Sequence, residues 1–288
     1  MAILVDRDTR LLVQGLTGSE GRFHGLRNRA YGTNVVAGVT PGKGGEEVEG
    51  IPVYGTVAEA VAVSGADTSL VFVPARFAAD AVYEAVDAGI ATVVCITEHI
   101  PVHDTLRLVA YARSRGTTII GPNCPGTLSP GKANVGIIPA EVFSAGSVGL
   151  VSRSGTLTYQ IGNELAQLGI GNSTIVGIGG DPVIGSTFVD ILERFEADQE
   201  TELVVLVGEI GGDEEEKAAR HVAEHMTKPV LAYIAGFSAP PGKTMGHAGA
   251  IISGSAGTAQ GKKEALEAVG IAVGTTPTEV ARLVAERF

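Results

Sequence analysis

Short runs of β-branched residues alternate along this chain with stretches long enough to form amphipathic helices. The alternation is typical of a parallel sheet covered by helices, because each parallel strand needs a crossover to reach its neighbour. In the first half it predicts strands at Leu11–Gly15, Asn34–Val39, Ser69–Val73, Thr92–Thr97 and Thr117–Gly121. In the second half it predicts strands at Val148–Ser152, Ser173–Gly177, Leu203–Val207, Pro229–Ile234 and Ile271–Val273. We therefore expect two doubly wound α/β domains.

Helix ends and the join between the domains can also be placed. Thr56 and Glu59 have capping-box spacing, Gly65 lies where that helix should stop, and Pro101 suits the first turn of another helix. Residues 121–147 are rich in Gly, Pro and Ser, so we expect an ordered connection, part of which could pair as short strands. The predicted division is 1–122, 123–146 and 147–288.

Composition excludes several classes of protein. The formal net charge of −11 and the lack of a Lys/Arg cluster argue against a nucleic-acid partner. No apolar run reaches the roughly 18 residues of a membrane span, so we expect no membrane partner. Cys95 and Cys124 cannot form a disulfide framework, and the first ten residues lack a signal-peptide pattern, which predicts a cytoplasmic protein. The 40 glycines predict many loops with positive φ or a close ligand.

The loops after the first two predicted strands indicate an anionic ligand. Gly15 to Gly21 opens a helix and can bring backbone N–H groups to a phosphate, although a glycine-rich turn with only a packing role fits as well. A fold that binds NAD would carry an acidic residue after the second strand, whereas this chain has Lys43. Lys43 therefore suggests an additional phosphate, as in NADP or coenzyme A, with a merely solvated lysine as the alternative.

His247 is the candidate nucleophile of the second half. Glycines on both sides give its imidazole room, which a structural histidine would not need, although that alternative stays open. Two strand ends converge on the same edge: Ser154 to Thr156 opens a helix, and Glu209 lies among glycines. The pattern indicates a helix N-terminus for an anion, a nucleophile, and a carboxylate to orient it.

Three other patterns carry weaker functional interpretations. The segment Pro240 to Thr244 resembles the end of a P-loop, but Gly236 is one residue too far away for that motif. His221 and His225 share a helix face but have no evident third metal ligand, so a solvated helix is the preferred interpretation. Asp213 to Glu216 lacks the alternating spacing of calcium ligands and instead suits a helix start. No metal site is therefore expected in this chain.

Seven segments, in order along the chain, resemble the α subunits of succinate–CoA ligase (succinyl-CoA synthetase). They are Gly15-Leu16-Thr17-Gly18-Ser19-Glu20-Gly21, Thr40-Pro41-Gly42-Lys43-Gly44-Gly45, Ile96-Thr97-Glu98, Gly121-Pro122-Asn123-Cys124-Pro125-Gly126, Ser152-Arg153-Ser154-Gly155-Thr156-Leu157-Thr158-Tyr159, Gly177-Ile178-Gly179-Gly180-Asp181-Pro182 and Gly246-His247-Ala248-Gly249-Ala250. The resemblance reaches to about Ser255. It implies a Rossmann-like CoA-binding domain followed by a flavodoxin-like ligase domain.

The resemblance also implies roles for individual residues. CoA binding falls to Thr17, Gly18, Ser19, Glu20, Lys43, Ile96, Thr97, Glu98, Asn123 and Cys124. His247 becomes transiently phosphorylated with Glu209 beside it, while Ser154, Gly155, Thr156 and Tyr159 hold phosphate or substrate. We expect Glu20 to turn away from the CoA phosphates, and Cys124 to line the site rather than act as a nucleophile. Tyr159 has an alternative role as an aromatic packed on the sheet.

In the family, phosphate displaces CoA from succinyl-CoA, succinyl phosphate phosphorylates the histidine, and the phosphohistidine passes its group to ADP or GDP. This reversible reaction belongs to the tricarboxylic acid cycle. The resemblance implies a separate β subunit, in a heterodimer or heterotetramer, that binds nucleotide and Mg²⁺. A ligase for malate or acetate is the nearest alternative. An NADP-dependent oxidoreductase and a non-catalytic CoA sensor are more distant, because neither explains the sequence around His247.

Overall fold

The computed structural model describes residues 2–240, 242–252 and 257–288. The first half forms a seven-stranded sheet in the order β3-β4-β2-β1-β5-β6-β7. Its strands are β1 (Arg10–Gln14), β2 (Asn34–Val39), β3 (Glu47–Val48), β4 (Ile51–Tyr54), β5 (Thr68–Val71), β6 (Thr92–Cys95) and β7 (Thr118–Ile120). Its helices are α1 (Ser19–Tyr31), α2 (Val57–Ser64), α3 (Ala75–Asp87) and α4 (Val102–Ser114).

Caps define the ends of these helices much as the sequence predicts. Thr56 Oγ1 accepts the N–H of Glu59 at 3.2 Å, and Gly65 ends α2 in the left-handed conformation at φ +64°. The other half of the predicted capping box is displaced, because Glu59 accepts the N–H of Gly55 rather than that of Thr56. Pro101 precedes the first turn of α4 instead of lying within it.

The second half forms another seven-stranded sheet, in the order β16-β13-β12-β10-β11-β8-β9, and a separate hairpin of β14 and β15. The strands are β8 (Gly126–Ser129), β9 (Ala133–Gly136), β10 (Ala145–Ser152), β11 (Asn172–Gly177), β12 (Leu203–Glu209), β13 (Val230–Ala235), β14 (Thr244–Met245), β15 (His247–Ile251) and β16 (Ala272–Gly274). The helices are α5 (Gly155–Gln167), α6 (Phe188–Ala197), α7 (Glu214–His225), α8 (Ala259–Glu267) and α9 (Pro277–Ala285).

Both sheets are doubly wound, and all ten predicted strands are present. In the first sheet the chain order reverses between β1 and β5; in the second, the order β11-β10-β12-β13-β16 is flavodoxin-like and reverses between β10 and β12. The α/β class, Rossmann-like and then flavodoxin-like, is confirmed. Ligands of such sheets bind beyond the carboxyl ends of the strands at the reversal point, which places two candidate sites.

Part of the predicted connection belongs to the second sheet. β8 pairs antiparallel to both β11 and β9, so residues 126–136 extend that sheet as short strands, the alternative that the sequence left open. The boundaries 1–122, 123–146 and 147–288 stay a prediction. The short pairs β3–β4 and β14–β15 were not predicted, because their strands contain residues that are depleted in strands, such as Glu47, Pro52 and Gly249.

The two halves are packed closely together. One apolar cluster contains residues of both sheets, including Leu11 and Val94 from the first and Val176 from the second. The hydroxyl of Thr33 donates to the carbonyl of Asn134 at 2.9 Å. A Cβ at Gly185 would lie 2.4 Å from Cβ of Ile119, so the halves meet at backbone contact there. Among the described helices, none has both the length and the hydropathy needed to cross a membrane.

Candidate active site

A cavity of about 890 Å³ lies at the reversal point of the first sheet. Four loops line it, and they follow β1, β2, β5 and β6. Six of the residues predicted to bind CoA are in its wall: Thr17, Gly18, Ser19, Glu20, Ile96 and Thr97. A cavity of this volume, at this place in an α/β sheet, is typical of a cofactor or substrate site.

The N-terminus of α1 faces this cavity without a side chain covering it. No described side chain caps the helix at Gly18, so the N–H groups of its first turn are available to an anion. A Cβ at Gly21 would lie 2.2 Å from the carbonyl oxygen of Gly15, which shows how closely the helix approaches the end of β1. Gly15 itself has φ +84°, a conformation that favours glycine. The glycines therefore let the helix end lie close to β1, an arrangement that can accept an anion.

Polar and aromatic groups surround that helix end. The hydroxyls of Thr17 and Thr40 are 3.1 Å apart, and the ring of His24 stacks on Phe72 at 5.5 Å. Glu20 points away from the helix end, with 73% of its side chain exposed and Oε2 3.8 Å from His24 Nε2. Burial lowers the pKa of His24, with Glu20 opposing that shift.

Four predicted CoA residues lie outside the wall of this cavity: Lys43, Glu98, Asn123 and Cys124. Lys43 is exposed in the turn after Pro41, and its N–H donates to the carbonyl of Thr40 at 3.1 Å. Cys124 is buried, and its thiol lies 3.3 Å from the carbonyl oxygen of Cys95. The thiol is therefore directed into the protein rather than into this cavity, and a lining role for Cys124 stays a prediction.

Asn123 connects the cavity to the second sheet. Its N–H donates to the carbonyl of Thr97 at 3.0 Å, and its carbonyl accepts the N–H of Gly180 at 3.2 Å. Its side-chain amide donates to Asp181 Oδ1 at 2.9 Å and lies 3.4 Å from Glu98 Oε1. Burial raises the pKa of Asp181, and the hydrogen bond from Asn123 opposes that shift. One residue thus links the loop after β6 with the loop after β11.

A histidine–carboxylate–arginine cluster lies at the reversal point of the second sheet. His247 Nδ1 is 2.8 Å from Oε2 of Glu209, and Arg153 Nε is 3.3 Å from Oε1 of the same carboxylate. Arg153 and Glu209 are almost fully buried, while 23% of the His247 side chain is exposed. The hydrogen bond that the ring donates to Glu209 is the main cause that raises the pKa of His247; burial opposes it. The cluster therefore offers one accessible imidazole, oriented through a buried carboxylate.

Two glycines leave the space that the imidazole of His247 and the guanidinium of Arg153 occupy. A Cβ at Gly180 would lie 2.2 Å from Cγ of His247, so the ring rests on that backbone. A Cβ at Gly249 would lie 2.9 Å from Nη2 of Arg153, which donates to the carbonyl of Asp181 at 3.2 Å. Glycine is thus needed in the loop that supports His247 and in the strand that carries it.

The N-terminus of α5 begins beside Arg153. Ser154 caps it by accepting the N–H of Leu157 at 3.3 Å, which leaves the N–H groups of Gly155 and Thr156 without a helical partner. Tyr159 lies one turn further on, and a Cβ at Gly155 would lie 3.7 Å from its hydroxyl. Burial raises the pKa of Tyr159 to about 12, so the phenol keeps its proton near neutral pH. This helix end can donate to an anion held next to His247.

Of the weaker sequence patterns, the histidine pair lies on α7. His221 and His225 have rings 5.0 Å apart and share a surface cavity of about 260 Å³ with Glu193 and Glu196. Within residues 2–240, 242–252 and 257–288, no group of three or more His, Cys, Asp or Glu side chains is arranged to hold a metal. Asp213 precedes α7, and three glutamates form its first turn, as the sequence predicts. Pro241, in the P-loop lookalike, and Ser255 lie outside the described residues.

Sequence reasoning missed roles for Arg153, Gly180 and Asp181, although all three occur in segments quoted for the resemblance. Their spacing does not predict that they lie around the His247–Glu209 pair, because the loops converge only in the folded sheet. Lys262 and Glu215, both completely buried beneath the Glu209 loop, were missed as well. Nothing in the sequence separates Lys262 from the adjacent Lys263.

Comparisons with known proteins point to one family. Residues 6–99 match the family model described as a CoA binding domain, and residues 151–272 match the one described as CoA-ligase. The chain is 61% identical over 286 residues to "Succinate--CoA ligase [ADP-forming] subunit alpha 2" of Archaeoglobus fulgidus, covering 99% of each protein. It is 57% identical to "Succinate--CoA ligase [ADP-forming] subunit alpha" of Aquifex aeolicus, covering 99% of this chain and 94% of that one.

Solved structures share the fold over nearly the whole chain. An ATP citrate lyase from Methanothrix soehngenii, in complex with citrate and coenzyme A, superposes with a TM-score of 0.89 at 25% identity. The match covers 99% of this chain, which spans only about half (51%) of that longer one. The dinucleotide-forming acetyl-coenzyme A synthetase 1 of Ca. Korarchaeum cryptofilum matches with a TM-score of 0.74 at 23% identity, which supports the fold alone.

Proposed function

This chain belongs to the α subunits of ADP-forming succinate–CoA ligase, and from that premise we propose that His247 carries the phosphoryl group between succinate and nucleotide. The observation that carries the proposal is the 2.8 Å contact of His247 Nδ1 with Glu209. When Nδ1–H donates to the carboxylate, the lone pair of the neutral ring lies on Nε2. The partly exposed ring can then attack phosphorus through Nε2.

The reaction proceeds in three steps. Inorganic phosphate attacks the thioester carbonyl of succinyl-CoA, the carbon–sulfur bond breaks, and CoA leaves as the thiol after taking a proton. Nε2 of His247 then attacks the phosphorus of succinyl phosphate, and succinate leaves with the electrons of the broken phosphorus–oxygen bond. In the last step an oxygen of ADP takes the phosphoryl group from Nε2, which forms ATP and restores the imidazole. Glu209 stabilises the positive charge that the ring develops.

The surrounding groups suit a phosphorylated ring. A phosphoryl group on His247 adds about two negative charges, which the N–H groups of Gly155 and Thr156 and the α5 dipole can offset by ~1–2 kcal/mol when partly buried. The side chain of Ser154 stabilises this helix end by accepting the N–H of Leu157. The protonated hydroxyl of Tyr159 can donate to a carboxylate of succinate.

CoA is assigned to the cavity of the first sheet. The first turn of α1, with Thr17, Gly18, Ser19 and the backbone N–H of Glu20, would hold the phosphates, and Ile96 and Thr97 would contact the chain that leads to the thiol. Lys43, exposed at the rim, can pair with a further phosphate. Glu98 and Asn123 lie between this cavity and the His247 cluster, where the thioester must reach.

We assign the nucleotide, ADP by the names of the relatives, and Mg²⁺ to a β subunit, as the resemblance implies. In this chain the P-loop lookalike lacks the required glycine spacing. An α–β assembly is thus the active form, with malate or acetate as the alternative acids. We also propose the cytoplasm as the compartment, because Cys95 and Cys124 are free thiols.

The test is phosphate transfer in the complex. The chain, mixed with its β subunit, Mg²⁺ and ATP labelled in the γ-phosphate, should take up one label that is stable in alkali and released by acid. The variant His247→Asn should take up none, and label on that variant would overturn the assignment. Turnover of succinate, malate and acetate with ADP or GDP identifies the substrates; malate or acetate preferred over succinate would favour the alternative.

A further inference from the structure

A completely buried ion pair lies beneath the loop that carries Glu209. Lys262, on α8, pairs with Glu215, on α7, and both side chains have 0% exposure. Lys262 Nζ also donates to the carbonyl of Gly212 at 3.1 Å and lies 3.0 Å from Glu216 Oε2. Burying two charges stabilises a fold no better than well-packed apolar side chains would, so stability does not explain this pair.

Glu215 joins the pair to the catalytic cluster. Its Oε1 accepts the backbone N–H of Glu209 at 3.1 Å, and the Glu209 side chain in turn holds His247 Nδ1. A Cβ at Gly208 would lie 2.6 Å from Cγ of Glu215, so the carboxylate packs directly against this loop. Burial raises the pKa of Glu215, and the charges of Lys262 and Arg153 oppose that shift.

Lys262 thus holds the loop at both ends, at Gly212 directly and at Glu209 through Glu215. We propose that Lys262 is a positioning residue for phosphoryl transfer, which keeps Glu215 in place as the acceptor for the Glu209 N–H so that the Glu209 carboxylate meets His247. The inference rests on the proposed role of His247. Neither Lys262 nor Glu215 touches the reacting atoms. Loss of the pair acts through the position of Glu209, and a shift of about 1 Å there can slow the reaction ~100-fold.

Two double variants separate positioning from stability. In Lys262→Met/Glu215→Gln, the Met/Gln variant, the side-chain amide oxygen of residue 215 still accepts the Glu209 N–H without a buried charge. In Lys262→Met/Glu215→Met, the Met/Met variant, that acceptor is lost, although the side chains have similar volumes. Lys263→Met, which removes the neighbouring lysine from its 3.2 Å pair with Glu267, is the matched control. The measurements are the single-turnover rate of His247 phosphorylation in the α–β complex and the Tm of each variant.

We expect Lys262→Met and the Met/Met variant to be slower by about tenfold or more, since each displaces Glu209. The Met/Gln variant should return to within about threefold of wild type at a Tm equal to that of Met/Met, and Lys263→Met should match wild type. Equal rates in the two double variants, or a wild-type rate in Lys262→Met, would overturn the proposal. A label on His247→Asn would instead overturn the phosphohistidine itself.

Hydrogen exchange keeps the proposal testable if the Met/Met variant fails to fold. The Glu209 amide should exchange slowly in the wild-type complex and in the Met/Gln variant, and faster in Lys262→Met. Fast exchange at Glu209 in the wild-type complex, or slow exchange in all three, contradicts the proposal. This readout does not depend on phosphorylation.

Discussion

His247 rests on Gly180 so closely that a methyl group on Gly180 would lie 2.2 Å from Cγ and 2.4 Å from Nδ1 of the ring. The carboxylate of Glu209 contacts Nδ1 on the edge of the same ring. The imidazole is therefore fixed on one face by a backbone and on one edge by a carboxylate. The opposite edge, with Nε2, is the one left for chemistry.

The variant Gly180→Ala should abolish most of the phosphorylation of His247. The added methyl group must push the ring away from Glu209, and displacement by about 1 Å can cost ~100-fold in rate. The measurement is single-turnover labelling in the α–β complex. Gly55→Ala is the control, because a Cβ there meets nothing closer than 3.8 Å. Unchanged labelling in Gly180→Ala would show that the ring does not need this support.

The variant Glu209→Gln should lower the phosphorylation rate by about 100-fold or more and change its pH dependence, because an amide does not select one tautomer. Glu209 raises the pKa of His247, and only the neutral ring attacks, so the wild-type rate increases as pH rises through that raised pKa. In the variant the inflection should move to lower pH. A pH–rate profile measures both effects.

Glu224→Gln is the control for that experiment, since Glu224 lies 3.6 Å from His225 on the exposed surface. Its profile should superimpose on the wild-type profile. An inflection that stays at the same pH in Glu209→Gln would disprove the assignment of the titrating group to the His247–Glu209 pair.

The variant Ser154→Ala should weaken phosphate binding more than it weakens the fold. Loss of an N-cap costs about 1 kcal/mol, and here it also loosens the N–H groups that face the phosphate, so we expect the KM for phosphate to rise about tenfold. Steady-state kinetics and a thermal melt measure the two effects. Thr56→Ala removes a comparable cap from α2, in the first half of the chain, and should change Tm alone. Equal KM values in the two variants would contradict a phosphate site at α5.

Charge at the rim of the first cavity should control CoA affinity. Lys43→Ala should weaken CoA binding a few-fold at low salt, and the difference should shrink as ionic strength rises, because exposed charges are screened. Isothermal titration with CoA at two salt concentrations measures this. Lys263→Ala serves as the control. A salt-independent or absent effect would mean that Lys43 does not approach a CoA phosphate.

The buried cysteines should be inert in the native protein. Burial raises the pKa of Cys95 to about 12 and raises that of Cys124 as well, so almost no thiolate exists near neutral pH. A thiol reagent should label neither residue until the chain unfolds, and Cys124→Ala should keep most of the turnover. Rapid labelling of Cys124, or loss of turnover with an unchanged Tm, would indicate a chemical role for its thiol.

Most of the fold follows from the sequence because β-branched runs and helix caps are local signals. The ten predicted strands lie within a few residues of their observed positions, and Thr56 and Gly65 bound α2 as expected. The hairpins β3–β4 and β14–β15 were missed because residues such as Pro52 and Gly249 do not favour strands, so these strands depend on their partners.

The sequence identified the candidate catalytic residues more readily than their supports. His247 and Glu209 stand out because they are isolated among glycines, and the structure brings them into contact. Gly180, Arg153 and Lys262 act through contacts between loops of different strands, which are set by the doubly wound topology. The direction of a side chain is also hidden from the sequence. The thiol of Cys124 points into the protein, although its neighbours in the sequence predicted a place in the wall of the CoA site.

The apolar cluster that runs through both sheets has a thermodynamic consequence. Residues such as Val94 and Val176 belong to one apolar cluster. If one half unfolded, the apolar side chains of the other half that pack against it would be exposed to water. We therefore expect a single endotherm on heating rather than two, with the calorimetric enthalpy equal to the van't Hoff enthalpy. The two candidate sites lie at different sheets, whereas we expect the chain to fold and unfold as one cooperative unit.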